Sequence, residues 1–301
     1  MREQFITRKF HDGSLKILDD AQSIISEYTQ KGFVLTLRQL YYQFVARGLL
    51  PENTIKTYNK LGTLINKARL AGIIDWDAIE DRTRNLQYLA HWRNPPDAID
   101  SIRYHYRLNK WDTQPNYCEV WVEKEALAGV MARICNNLDV PYFACRGYVS
   151  QSEQYAAGKR LMYEAKKRGR RVMVFHLGDH DPSGVDMTRD NELRLEMFSN
   201  NKVVVERLAL TMHQVTKYNP PPNPAKTTDT RHRWYVEQYG YESWELDALD
   251  PEVLVDLVRD AVDPLIDRAE WDRVLEQERT DRAMLEKVVS EWDTVREALV
   301  Q

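Results

Sequence analysis

The stretch "RRVMVFHLGDHDPSG", Arg170 to Gly184, decides how this chain is read. Its apolar run, Val172 to Leu177, is short, and it stops at Gly178. A short continuous apolar run bounded by a turn signal reads as a strand buried on both faces, as in a parallel sheet. Asp179 and Asp181 follow with one residue between them, then a Pro-Ser-Gly turn. Two like charges at one strand end repel, so the pair asks for a physical reason.

The neighbouring sequence repeats the same rhythm. "CEVWVE" (Cys118–Glu123), "VPYFAC" (Val140–Cys145) and "KVVVERLAL" (Lys202–Leu210) are strand-like. Between the runs lie helical segments, "KEALAGVMARICNNLD", "SEQYAAGKRLMYEAKKRG" and "SGVDMTRDNELRLEMFSN". Strands alternating with long helices predict βαβ units, a mainly parallel sheet covered on both faces, and an α/β fold. The segment "KYNPPPNPAKTTDTRHR" (Lys217–Arg233) reads as an extended loop, and the acidic stretch from Asp250 onward as helices.

The first third is helical by pattern. "SLKILDDAQSIISEYTQKG" has Ser14 as a candidate N-cap and Gly32 as a stop; "TLRQLYYQFVARG" begins at Thr36 and "TIKTYNKLGTLINKARLAG" at Thr54. "IIDWDAIEDRTR" (Ile73–Arg84) then reads as a small strand or wing. Three short helices and a β-like segment are the order of a winged helix-turn-helix, with a plain helical bundle as the alternative. The predicted organisation is a winged-helix-like unit over residues 1–94, a proline-bearing linker over 95–116, and the α/β unit with C-terminal helices over 117–301.

With 301 residues and 43% hydrophobic content, the chain has enough apolar material for a core. The net charge of −4 argues neither for nor against nucleic acid, but its distribution does. From Lys31 to Ile74 the bases are Lys31, Arg38, Arg47, Lys56, Lys60, Lys67 and Arg69, and the only acid is Glu52. That block is a candidate anion-binding surface, or else an ordinary solvated face. Cys118, Cys135 and Cys145 form no CxxC pair and read as packed thiols. No run has signal-peptide or membrane-span length, so a soluble cytoplasmic protein without a membrane partner is expected.

Ligands of open parallel sheets bind outside the carboxyl ends of the strands. Glu123, Asp179 and Asp181 sit at such ends. Hard carboxylate oxygens converging on one point suit Mg²⁺, with Mn²⁺ as a substitute, and the ion would relieve the repulsion. The competing reading makes the aspartates turn formers and a helix cap. Glu125 is a rival that falls inside the next helix, and His176 and His180 are weaker candidates. On the helix "RQLYYQ", Arg38 and Tyr42 lie four residues apart and share a face. A tyrosine there is most simply a packing residue; an adjacent arginine can also hold a phosphate or ease formation of a phenolate.

"VWVEKEAL" followed by "FHLGDHDPSG" resembles a Toprim domain, the metal-binding α/β module of topoisomerases, primases and some nucleases. The version is similar to the A subunit of topoisomerase VI and the related meiotic double-strand-break transesterase, in compact stand-alone form. "RQLYY" resembles that family's Arg-x-x-Tyr-Tyr pattern, and "RGYVSQ" and "ESWELDAL" resemble further family segments. The resemblance implies Tyr42 as the nucleophile, with Tyr41 as its neighbouring alternative and Arg38 beside it. It also implies Glu123, Asp179 and Asp181 as Mg²⁺ ligands, and a homodimer on double-stranded DNA with the tyrosine of one subunit meeting the metal of the other. Arg47, Lys56, Lys60, Lys67 and Arg69 would contact phosphates. The activity implied is DNA cleavage through a phosphotyrosyl intermediate, in a nucleoid-associated enzyme. Alternatives are a Toprim nuclease using water and a non-catalytic DNA-binding or regulatory protein. No P-loop or Gly-rich nucleotide lid is present, so an ATPase would be a separate subunit.

Overall fold

The computed structural model describes residues 2–50, 53–80, 89–200 and 202–300. Three helices open the chain: α1 (Asp12–Gln30), α2 (Leu37–Ala46) and α3 (Ile55–Leu70). Leu18, Ala21, Ile24 and Tyr28 recur at helical spacing and form the buried stripe of α1. That helix begins at Asp12, so Ser14 lies inside it and bonds His11 Nδ1 at 2.9 Å instead of capping. Thr36 caps α2 through a reciprocal box with Gln39, and Thr54 caps α3.

The strand expected after α3 does not form over residues 73–80. The Asp75 carboxylate accepts from Asp77 N at 2.9 Å and starts a single 3₁₀ turn, Trp76–Ala78, leaving Ile79 in an isolated bridge with Leu35. Asp81, Arg82, Thr83 and Arg84 of the expected wing lie outside the described residues. Helix α4 (Pro95–His105) follows, with Asn94 as its cap, and packs on a later helix over Arg268–Ser290.

The α/β part runs β1 (Asn116–Val122), α5 (Ala128–Asn137), β2 (Tyr142–Ala144), α6 (Gln151–Lys167), β3 (Arg171–Leu177), α7 (Pro182–Ser199) and β4 (Val203–Ala209). These strands form one parallel sheet in the order β2-β1-β3-β4, as the alternating pattern predicted. Alternate residues serve opposite faces. Cys118, Val120, Val122, Met173, Phe175 and Leu177 join a core with α5 and the N-terminal helices. Tyr117, Trp121, Val172 and Val174 join a second core with Ala157 and Leu161 of α6 and Leu195 of α7. The larger core runs from Leu18 to Trp271, so side chains of residues 1–94 and of residues 117–301 pack together in it.

After β4 come α8 (Met212–Tyr218), β5 (Asn223–Pro224), α9 (His232–Tyr239) and β6 (Glu242–Ser243). Residues 219–231 are mostly irregular, as the prolines predict, apart from the β5–β6 pair. The chain ends in α10 (Pro251–Val262), α11 (Arg268–Ser290) and α12 (Trp292–Val300). Among the described residues no helix is long and apolar enough to cross a membrane.

Candidate functional site

The loop Gly178–Asp181 leaves β3 and turns directly into α7. Asp181 caps that helix: its Oδ1 accepts from Gly184 N at 2.7 Å and from Ser183 Oγ at 2.9 Å. Gly184 is required, because a Cβ there would stand 2.3 Å from Asp179 O. Beneath the loop lies Arg207 of β4. It donates to the carbonyls of Gly178 (3.1 Å), Asp179 (2.6 Å), Gly184 (2.9 Å) and Leu210 (3.1 Å), and to Thr188 Oγ1 (2.7 Å).

The three predicted acids do gather here. Glu123, one residue past β1, accepts Asp179 N through Oε2 at 2.8 Å. Burial pushes the Glu123 carboxyl up, and the Asp181 charge adds to that. Burial also pushes Asp179 up, to about 8, against the pull of Lys124. Asp179 Oδ1 is already engaged by Leu246 N at 2.8 Å and by Lys124 Nζ at 2.9 Å. Among the described residues Glu123 Oε1 accepts no hydrogen bond, and Asp181 Oδ2 meets only the exposed Lys226 ammonium, at 3.6 Å. Among the described residues no group of three or more His, Cys, Asp or Glu side chains is set to hold an ion. What remains is a pair, Glu123 and Asp181, with oxygens to spare. Two carboxylates suit Mg²⁺, which keeps waters and takes phosphate oxygens.

The rivals lie elsewhere. Glu125 pairs with Arg146. His180 Nδ1 bonds the Tyr235 hydroxyl at 2.8 Å, and its ring packs on Tyr239 and Trp244. His176 is wholly buried, bonded to Thr188 Oγ1 at 2.8 Å.

The two tyrosines divide their work. The Tyr41 hydroxyl donates to Asn53 Oδ1 (3.1 Å) and Thr54 O (3.2 Å) and accepts from Thr54 N (2.9 Å), which pins the start of α3. Tyr42 and Glu245 line one cavity, with the Arg38 guanidinium 5.8 Å from the Tyr42 ring centroid. Both tyrosines, Arg38, Asn53, Tyr58 and Glu245 line that cavity, of about 160 Å³.

Three residues that the pattern reading did not single out tie this cavity to the acids. Lys124 Nζ lies 2.7 Å from Glu245 Oε2 and 2.7 Å from Asp247 Oδ1, besides its contact with Asp179. Arg38 pairs with Glu245, and its Nε stands 2.9 Å from Asp247 Oδ2. Burial alone would raise Glu245, yet Lys124 and Arg38 hold it at about 2. The E-x-D spacing of Glu245 and Asp247, mirroring D-x-D at 179–181, was the available signal.

The basic block separates into two kinds of residue. Lys56 and Lys60 are exposed on α3, just beyond Thr54 and Ile55 at the cavity wall, and Lys67 is half-buried further along the helix. Arg47 pairs with Glu27 at 2.8 Å. Arg69 turns inward to the carbonyls of Trp76 and Ile79, stacked 4.7 Å from the Trp76 ring centroid. No protein-family model matches the chain, and no curated protein does either.

Proposed function

We propose that this chain is a divalent-metal-dependent DNA-cleaving transesterase, related to the topoisomerase VI A subunit, with Tyr42 as its nucleophile. The observation that carries the reading is the run of contacts Glu245–Lys124–Asp179, which joins the cavity lined by Tyr42 and Glu245 to the strand-tip acids. Arg38 stands beside the phenol, where it can hold a phosphate oxygen. Glu123 and Asp181 would hold Mg²⁺, which when bound polarises a phosphate oxygen and neutralises developing charge. Tyr42 Oη forms a bond to phosphorus as the bond to the ribose 3′ oxygen breaks. The phenol proton passes to water as the bond forms, and the 3′ oxygen takes a proton from water. Lys56 and Lys60 supply phosphate contacts without sequence choice. In a homodimer the tyrosine of one subunit would meet the metal of the other, and the two sites would make two cuts.

One observation favours water as the attacking group instead. Tyr42 is only 4% exposed, and burial, followed by Asp247 and Glu245, pushes its phenol up against the pull of Arg38. The two chemistries separate in a single experiment. Supercoiled plasmid is incubated with Mg²⁺, quenched with detergent, and split into lanes with and without protease. Broken DNA that migrates freely only after protease, and is absent with Tyr42→Phe, supports the tyrosine. Free ends in both lanes with either protein support hydrolysis, and intact plasmid throughout counts against both.

A further inference from the structure

Lys124 is the residue whose position the cleavage reading leaves unexplained. Its side chain is 17% exposed, and Nζ is the meeting point of three carboxylate oxygens: Asp179 Oδ1 at 2.9 Å, Glu245 Oε2 at 2.7 Å and Asp247 Oδ1 at 2.7 Å. The acids arrive from two elements, the loop after β3 and the segment Glu245–Asp247 beyond β6. The Asp247 side chain is fully buried; its Oδ2 accepts no hydrogen bond and meets Arg38 by charge alone. Three hard oxygens converging on one point from fixed backbone are what one face of an octahedral cation requires, at distances about 0.7 Å shorter than those of the ammonium.

We propose that Lys124 is a tethered cation standing in the place of a second divalent ion, so that the centre binds a single exchangeable metal beside Glu123 and Asp181. The inference rests on the proposed metal-dependent reading for that first ion. Phosphoryl-transfer sites often use two ions about 3.5–4 Å apart, one on the attacking and one on the leaving oxygen. Here the Tyr42 side of the centre is served by an ammonium. An ammonium cannot exchange with solvent, so its charge is present at any metal concentration. It makes Lys124 a positioning residue: through Glu245 it holds a wall of the Tyr42 cavity, and through Asp179 it fixes the acid loop.

The test counts ions. Mn²⁺ is titrated calorimetrically into the full-length wild type, Lys124→Gln and Lys124→Arg, with thermal unfolding followed with and without Mn²⁺. One Mn²⁺ per wild-type chain, two per Lys124→Gln chain and one per Lys124→Arg chain is the expected result. A wild type that binds none while Lys124→Gln binds one would uphold the role of Lys124 and sink the first-ion site. One Mn²⁺ in both wild type and Lys124→Gln overturns the proposal while leaving the cleavage reading standing, and none in either overturns both. Should Lys124→Gln fold poorly without metal, the shift in Tm decides. A larger rise with Mn²⁺ than in wild type supports the tethered cation, and an equal or smaller rise overturns it.

Discussion

Strand β1 and the residue that follows it carry two glutamates four residues apart, Glu119 and Glu123, and their surroundings are opposite. Glu119, mid-strand, is 2% exposed and saturated: Arg160 donates at 2.8 and 3.0 Å, Tyr117 Oη at 3.1 Å and Trp121 Nε1 at 2.9 Å. Glu123, at the strand tip, has one main-chain donor and another carboxylate for a neighbour. A carboxylate whose lone pairs are filled by its own protein holds the fold and has nothing left for a ligand. One that is desolvated and under-supplied is kept at a cost that only a ligand or a proton relieves.

The contrast is broken most directly by exchanging the two roles. Glu123→Gln and Asp181→Asn are expected to lower plasmid cleavage by more than about 100-fold while far-UV dichroism stays native. Glu119→Gln is expected to do the reverse, costing about 2–3 kcal/mol in urea unfolding by stranding its donors. Loss of folding in the first pair, or loss of cleavage without loss of stability in the second, would collapse the distinction.

Gly184→Ala sharpens it from the loop side. A methyl group 2.3 Å from Asp179 O has to push the acid loop away from α7, so a destabilisation of about 3 kcal/mol is expected, with Mn²⁺ affinity falling in parallel.

The floor of the loop should respond to acid. Burial, helped by Arg207, pulls His176 down to about 3, and burial pulls His180 to about 4. Both values lie below the unfolded pKa of about 6.5, so below that pH the unfolded chain binds the extra protons. The histidines' contribution to stability is then complete above about pH 6.5 and falls as pH drops, by up to about 1.4 kcal/mol per unit for each, while Asp179, raised to about 8, acts in the opposite sense over the same range. Between about pH 7 and about pH 5, His176→Gln should lose less stability than the wild type, as read from urea midpoints.

The smallest effects belong to α3. Lys56→Ala and Lys60→Ala should each weaken DNA binding evenly across sequences and reduce the salt slope by about 0.9. Arg69→Ala should change stability instead, because its guanidinium is spent on Trp76 and Ile79. Filter binding at several salt concentrations measures both.

The sheet was legible because buried parallel strands write continuous apolar runs, and the runs ending at Val122 and Leu177 place Glu123 and Asp179 by themselves. The Lys124 network was not, because the partners of Lys124 lie up to 123 residues from it and contacts of that range leave no local period. The turn at 73–80 was misread because the apolar residues suggested a strand while Asp75 supplied a competing local acceptor. Arg47 and Arg69 carried the right charge for phosphate, but sequence does not say where a long side chain turns.

Arg207 has a consequence of its own. It grips the loop by main-chain carbonyls at positions 178, 179, 184 and 210, so the curve of that loop is specified without help from the groups it displays. Such a mount lets its fittings be changed. The tips at 179 to 181 could be rewritten, by drift or by an engineer, for a different metal or for none, with the bracket left standing.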